Sequence, residues 1–105
     1  MPTTIAALAV LRRDHERLAL YVSRDSCGPC HAVWPRVQAL FGGDPAWTLL
    51  RVDAAAAPEI AGQLLLFSVP ALVLYLYGQE ASRLVRMIPQ AELEAAKARV
   101  DRLAE

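Results

Sequence analysis

Residues 18–37 read LALYVSRDSCGPCHAVWPRV, and the order of signals within them decides the fold. Leu18 to Ser23 is short, apolar and contains Tyr21 and Val22, so it reads as a buried strand. From Pro29 to Phe41 the apolar residues Val33, Trp34, Val37, Leu40 and Phe41 recur at helical spacing, and Gly42-Gly43 ends the run. Between strand and helix stands Cys27-Gly28-Pro29-Cys30. Two thiols separated by two residues at a helix start can close a small disulfide ring, and the free N–H groups there favour negative charge. Cys27, nearest the helix start, is the expected attacking thiolate, and Cys30, one turn inside, the expected resolving thiol. Gly28 lets the turn form, and Pro29 suits the first helical turn. A lone C-x-x-C is a weak signal, but between a strand and a helix it points to dithiol–disulfide chemistry.

Outward from this stretch, Thr3 or Thr4 caps a first helix that carries Ile5, Leu8, Ala9 and Leu11 on one face. Trp47 to Val52 reads as a second strand, and Pro58 to about Leu66 as a short helix opened by proline. Ala71 to Tyr77 is continuously apolar, as a central strand covered on both faces should be. Gly78-Gln79 is the tight connection of a hairpin, from which Glu80 to Met87 returns as an edge strand. Pro89 opens an amphipathic helix over Gln90–Leu103, with Leu93, Ala96, Val100 and Leu103 inward and Glu92, Glu94, Arg99, Asp101 and Arg102 toward water. Tyr75 and Tyr77, at strand spacing, are expected to pack on one face, and Trp34 and Trp47 to lie in or near the core. The alternation predicts an α/β fold of parallel βαβ units, with one antiparallel strand added by the closing hairpin and helices on both faces.

Composition removes several functions. The 105 residues suffice for one domain, spanning 1–105, and not for two. Eleven basic residues offset eleven acidic ones, so the charge footprint of a nucleic-acid binder is missing. Two cysteines are too few for a disulfide-rich scaffold or an all-cysteine zinc site. Beyond them only His31 and the distant His15 could join a metal, and His31 adjoins Cys30 and points elsewhere, so no metal is expected. Ile5 to Leu11 has no basic start and is followed by Arg12-Arg13-Asp14, which is not a signal peptide. Leu64 to Tyr77 falls short of the roughly 20 residues of a membrane span and is interrupted by Ser68 and Pro70. The expected compartment is the cytoplasm, where lasting structural disulfides are uncommon.

At Cys27-Gly28-Pro29-Cys30 the chain resembles the thioredoxin family, and the resemblance extends over nearly all of it. Pro35 sits where that family has the proline that kinks the active-site helix, Phe67-Ser68-Val69-Pro70-Ala71-Leu72 looks like its cis-proline segment, and Gly78 falls at its hairpin glycine. The resemblance implies a thioredoxin fold: a mixed four-stranded central sheet flanked by helices, with an N-terminal helix in place of the extra first strand. It implies a cis Val69–Pro70 bond and a substrate groove formed by Cys27, Gly28, Pro29, Val69 and Pro70, with Val69 offering backbone hydrogen bonds to an extended peptide. It further implies protein disulfides as substrates, an external reductant such as a thioredoxin reductase, a monomer, and no cofactor beyond the Cys27–Cys30 couple.

Several positions depart from the family. Ser26 replaces the tryptophan usual before the first cysteine, exchanging a flat contact surface for a small hydroxyl. The buried aspartate that assists proton transfer to the second cysteine falls at Tyr21, and its lysine neighbour at Leu49. Losing both is coherent, because one buried charge alone is costly, and it leaves a water or the Tyr21 hydroxyl as the candidates to take the Cys30 proton. A glycine usual after the last strand falls at Arg86, whose charge is expected to lower the Cys27 pKa. His31 stands where lysine is common and reads first as a surface helix position, with a pH-dependent charge near the cysteines as the alternative. Two functions fit: a reductase of protein disulfides, or a thioredoxin-fold adaptor that senses redox state for one client.

Overall fold

Because LALYVS is apolar on both faces, it belongs in the middle of a covered sheet, and the computed structural model, which describes residues 2–105, puts it there. This strand, β1 (Arg17–Ser23), is buried at every position after Arg17. β2 (Thr48–Asp53) runs parallel to it with Tyr21 opposite Arg51, β3 (Ala71–Leu76) runs antiparallel on its other side, and β4 (Gln79–Val85) continues antiparallel beyond β3. The order across the sheet is β2-β1-β3-β4.

Only β1 and β2 are parallel, so the hairpin strand is not the single antiparallel one. The helix before β3 explains the difference. α3 (Pro58–Gln63) has six residues, about 9 Å of rise, against the roughly 20 Å length of a six-residue strand. It cannot carry the chain back along the sheet, so β3 starts at the end where β2 finished.

Three further helices complete the layers. α1 (Ile5–Asp14) is capped by Thr4, whose Oγ1 accepts from the Ala7 N–H at 3.1 Å. With α3 it covers one face, where Leu8 and Ile60 pack on Leu18, Leu20, Val22 and Val73; Ala9 is exposed. α2 (Gly28–Val37) and α4 (Gln90–Leu103) cover the other, where Val33, Val37, Leu93 and Val100 pack on Ala19, Tyr21, Leu72 and Leu74. The helix expected to reach Phe41 passes into a π turn over Gln38–Gly42 shortly after Pro35, which has no N–H to donate to His31 one turn back.

Other boundaries move for local reasons. α3 ends at Gln63 rather than near Leu66, and Leu65 then takes a left-handed φ of 57°. The hairpin turns at Tyr77-Gly78, with φ of 50° and 80°, not at Gly78-Gln79. Tyr77 is thereby exposed and its hydroxyl donates to Glu16 at 2.7 Å, while Tyr75 alone is buried. β4 stops at Val85 because Arg86 is left-handed, φ 69°. Leu103, expected inward, is 63% exposed at the end of α4.

Asp101, expected in water, instead ties α4 to the sheet edge. Its Oδ1 accepts from Arg17 at 3.0 Å and from the Trp47 indole at 2.8 Å, and its Oδ2 accepts from Lys97 at 3.0 Å. Replacing Asp101 by Ala leaves three donors without this acceptor, and is expected to lower unfolding free energy by about 2 kcal/mol in urea titration. Asp101→Asn, which keeps the Trp47 bond, should lose less.

Candidate active site

The end of β1 and the start of α2 are joined by four residues, Arg24 to Cys27, and this short turn sets the sulfurs. Cys27 is the N-cap of α2, in extended conformation, and its N–H donates to the Arg24 carbonyl at 3.1 Å. Cys27 and Cys30 are joined in a disulfide, with Cα atoms 5.3 Å apart. The Cys27 Sγ accepts from the Cys30 N–H at 3.1 Å, so the orphan donor of the first helical turn already points at this sulfur. Cys30 is fully buried and Cys27 half-buried. Only Cys27 can meet the sulfur of another protein.

Three segments surround the pair. The Val69–Pro70 peptide bond is cis, and the Val69 carbonyl oxygen lies 4.0 Å from the Cys27 Sγ. Pro70 is buried, and its carbonyl accepts from the Arg86 N–H at 2.8 Å, which fastens the end of β4 to the proline segment. Arg86 itself is exposed and shares a surface groove with Pro29, Arg36 and Met87. Ser26, Gly28 and Pro29 are exposed beside the disulfide. The turn does not demand glycine at 28: a Cβ there meets nothing within 4 Å, and its φ is not left-handed. His31 faces solvent, its Nε2 2.8 Å from the Asp25 carbonyl.

Beneath Cys30 lies Tyr21. Its hydroxyl donates to the Cys30 carbonyl at 2.6 Å, and burial pushes its pKa up to about 12, against the smaller opposing pull of Arg51 and Arg36. The proton is engaged, and at neutral pH no phenolate is present to take one from Cys30. Leu49 is half-buried in the same core. Trp34 and Arg51 add to the residues expected from sequence. The Trp34 ring centroid is 5.3 Å from that of Tyr21, and the Arg51 guanidinium lies 4.6 Å over Trp34. Pairing residue 21 with residue 51 in a parallel β1–β2 register would have found this stack. No group of three or more His, Cys, Asp or Glu is placed to hold a metal among the described residues.

The thioredoxin family model matches residues 9–99. The chain is 34% identical over 93 residues to Thioredoxin-like protein YdfQ of Bacillus subtilis, covering 89% of this chain and 83% of that protein. It is 26% identical over 92 residues to a thioredoxin of Mycoplasmoides gallisepticum, covering 88% and 92%. The chain belongs to the thioredoxin family. The fold agrees: mitochondrial thioredoxin 3 of Saccharomyces cerevisiae superposes with a TM-score of 0.83 at 23% identity, covering 92% of each chain. A thioredoxin-family disulfide at a helix start supports thiol–disulfide oxidoreductase activity, which this family carries out without a metal or organic cofactor.

Within this thioredoxin framework Tyr21 makes a pH prediction. The unfolded chain loses a tyrosine proton near 10.0, and folded Tyr21 near 12. Between these values unfolding releases a proton, so the stabilisation is complete below the lower value and lost as pH rises through the upper one. Tyr75, raised by burial as well, has the same sign. Alkaline difference spectra should show Tyr21 ionising near 12 while folded and near 10 once unfolded. Tyr21→Phe should flatten the fall of stability between the two values and cost about 1 kcal/mol at neutral pH.

Proposed function

We propose that this protein reduces protein disulfides by dithiol–disulfide exchange, with Cys27 as nucleophile and Cys30 as resolving thiol. The observation that carries the reading is the asymmetry of the pair: Cys27 is half-exposed at the helix cap with its sulfur on the Cys30 N–H, and Cys30 is sealed beneath it. In the reduced protein the same N–H and the helix end stabilise a Cys27 thiolate. That thiolate attacks one client sulfur, the client S–S bond breaks, and one client thiolate leaves and is protonated. Cys30, after losing its proton, attacks the Cys27 sulfur, breaks the mixed disulfide and releases the second client thiolate. The product is the Cys27–Cys30 disulfide of this structure. An external reductant, of thioredoxin reductase type, returns two electrons and two protons.

Client binding is assigned to Ser26, Gly28, Pro29, Val69 and Pro70. Among the described residues neither the N–H nor the carbonyl of Val69 bonds to another backbone group, which leaves both for an extended client segment. The open space over Gly28 lets that segment approach the turn closely. Arg86 is assigned the lowering of the Cys27 pKa. The Gly-Pro pair between the cysteines resembles the reducing members of the family, and on that ground we assign the protein to disulfide reduction; we place it in the cytoplasm, as a monomer.

Insulin reduction with dithiothreitol as donor tests the reading. Wild type should accelerate precipitation of the insulin B chain, and Cys27→Ser should return the rate to the dithiothreitol background. Equal rates with and without wild-type protein would refute it. Cys30→Ser should accumulate mixed disulfides with many proteins; capture of one dominant client would favour an adaptor instead. For Arg86, a thiol titration by absorbance should find the Cys27 thiolate forming at higher pH in Arg86→Ala than in wild type, and coincident curves would remove Arg86 from this role.

A further inference from the structure

We infer, on the strength of the reductase reading above, that the rim of this active site selects clients whose disulfide is flanked by acidic residues. The chain as a whole is neutral, eleven charges against eleven, but its cations are unevenly paired. Arg13, Arg17, Arg83 and Lys97 form ion pairs with carboxylates. Of the cations that form none among the described residues, three, Arg24, Arg36 and Arg86, line the grooves beside the disulfide, and Arg12, Arg51, Arg99 and Arg102 lie elsewhere. Two grooves flank the disulfide. Arg24, Phe67, Ser68 and Val69 line one; Pro29, Arg36, Arg86 and Met87 line the other; no carboxylate lines either. Asp25 is the one acid of the turn.

The cations are placed for use. Arg24 and Arg86 are exposed. Arg36 is half-buried, and its Nη1 donates to the Ile88 carbonyl at 3.1 Å, which holds its head in the groove. A guanidinium presents a planar fork that fits a carboxylate with two parallel hydrogen bonds. Arg86 adds a backbone argument. With φ at 69° the position suits glycine, and its N–H bond to Pro70 would survive that change, so the fold by itself does not call for arginine there. Phe67, 85% exposed, and Met87, 77% exposed, give each groove an apolar contact. Ser26 supplies no aromatic shelf between them. A client segment lying across Cys27 along Val69 therefore meets one guanidinium on its first side and two on its second. Acidic side chains next to the client cysteine complete these pairs; basic ones are repelled.

Two short peptides with an intramolecular disulfide, identical except for Glu or Lys on both sides of each cysteine, test this. Each is reduced by the dithiol protein in single-turnover experiments followed by tryptophan fluorescence, and each rate is divided by that of dithiothreitol on the same peptide. The Glu peptide should react about tenfold faster than the Lys peptide at low ionic strength, with the ratio falling toward one in high salt. Combining Arg24→Ser with Arg86→Gly should bring the low-salt ratio close to one even if both absolute rates change, because an altered Cys27 pKa acts on both peptides alike. Arg13→Ser, in an ion pair on α1, should keep the ratio. A wild-type ratio near one at low salt, or a ratio unchanged in the double variant, would overturn the selectivity and leave the reductase intact. Failure of wild type to reduce either peptide would overturn the reductase reading and this one with it.

Discussion

The C-terminal end of β1 sets the position of both cysteines. Leu18 to Val22 are inaccessible to solvent, so the strand is held by packing from α1 and α3 on one face and α2 and α4 on the other. Such a strand cannot slip by one residue without exchanging its two faces. Its last residue, Ser23, is fixed against Asp53 across the parallel pair. Four residues later comes the cap of α2, so the position of the helix cap follows from the position of the strand end. Cys27 occupies that cap, and the sulfur meets the Cys30 N–H because the first turn of any helix leaves its donors open. The redox chemistry thus depends on burial elsewhere: loosening the sheet moves the cap, and moving the cap withdraws the donor from the sulfur.

Below the disulfide, the family's buried charges are replaced by a stack of rings. Tyr21 sits under Cys30, Trp34 beside Tyr21, and Arg51 over Trp34 at the half-exposed edge. A lone buried carboxylate is costly without its partner, whereas a tyrosine buries its ring and needs one acceptor, here the Cys30 carbonyl. The positive charge does not disappear; it moves outward to Arg51, where the guanidinium stays partly hydrated and packs flat on an aromatic face. Cys30 therefore stands above a neutral, hydrogen-bonded floor with cations near it, not above an acid. Arg36 and Arg51 both act on the Tyr21 hydroxyl in the direction of ionisation, but burial outweighs them.

Much of this was legible in the chain. Buried strands with no charge, helices with 3.6-residue periodicity, and a C-x-x-C at a strand-to-helix junction announce themselves locally, and the resemblance to the family marks the loss of charge at Tyr21 and Leu49. What stayed hidden depends on pairing across distance. The direction of β3 is set by α3 being too short to cross the sheet, a comparison of lengths rather than a pattern within either element. Asp101 looks like a surface acid on α4 until Arg17 and Trp47, from two other segments, converge on it. The Arg51–Trp34–Tyr21 stack needs both the parallel register and the rotation of α2. Exposed Phe67 and Met87 were invisible for the opposite reason, since apolar residues next to strands read as core.

Arg86 shows how one residue can carry two separable duties. Its backbone ends β4 with a left-handed turn and fixes the carbonyl of Pro70, a task its N–H performs whatever the side chain. Holding a non-glycine residue there costs about 1 kcal/mol, a modest part of the roughly 5–15 kcal/mol that stabilises a domain of this kind. The side chain leaves in the other direction, into the groove beside Pro29, where it makes no ion pair. Stability and charge at this site are consequently carried by different atoms of the same residue. Glycine would relieve the backbone and remove the charge; glutamate would keep the strain and reverse the charge. Comparing those two changes therefore separates what Arg86 does for the fold from the effect proposed for its guanidinium on Cys27 and on clients.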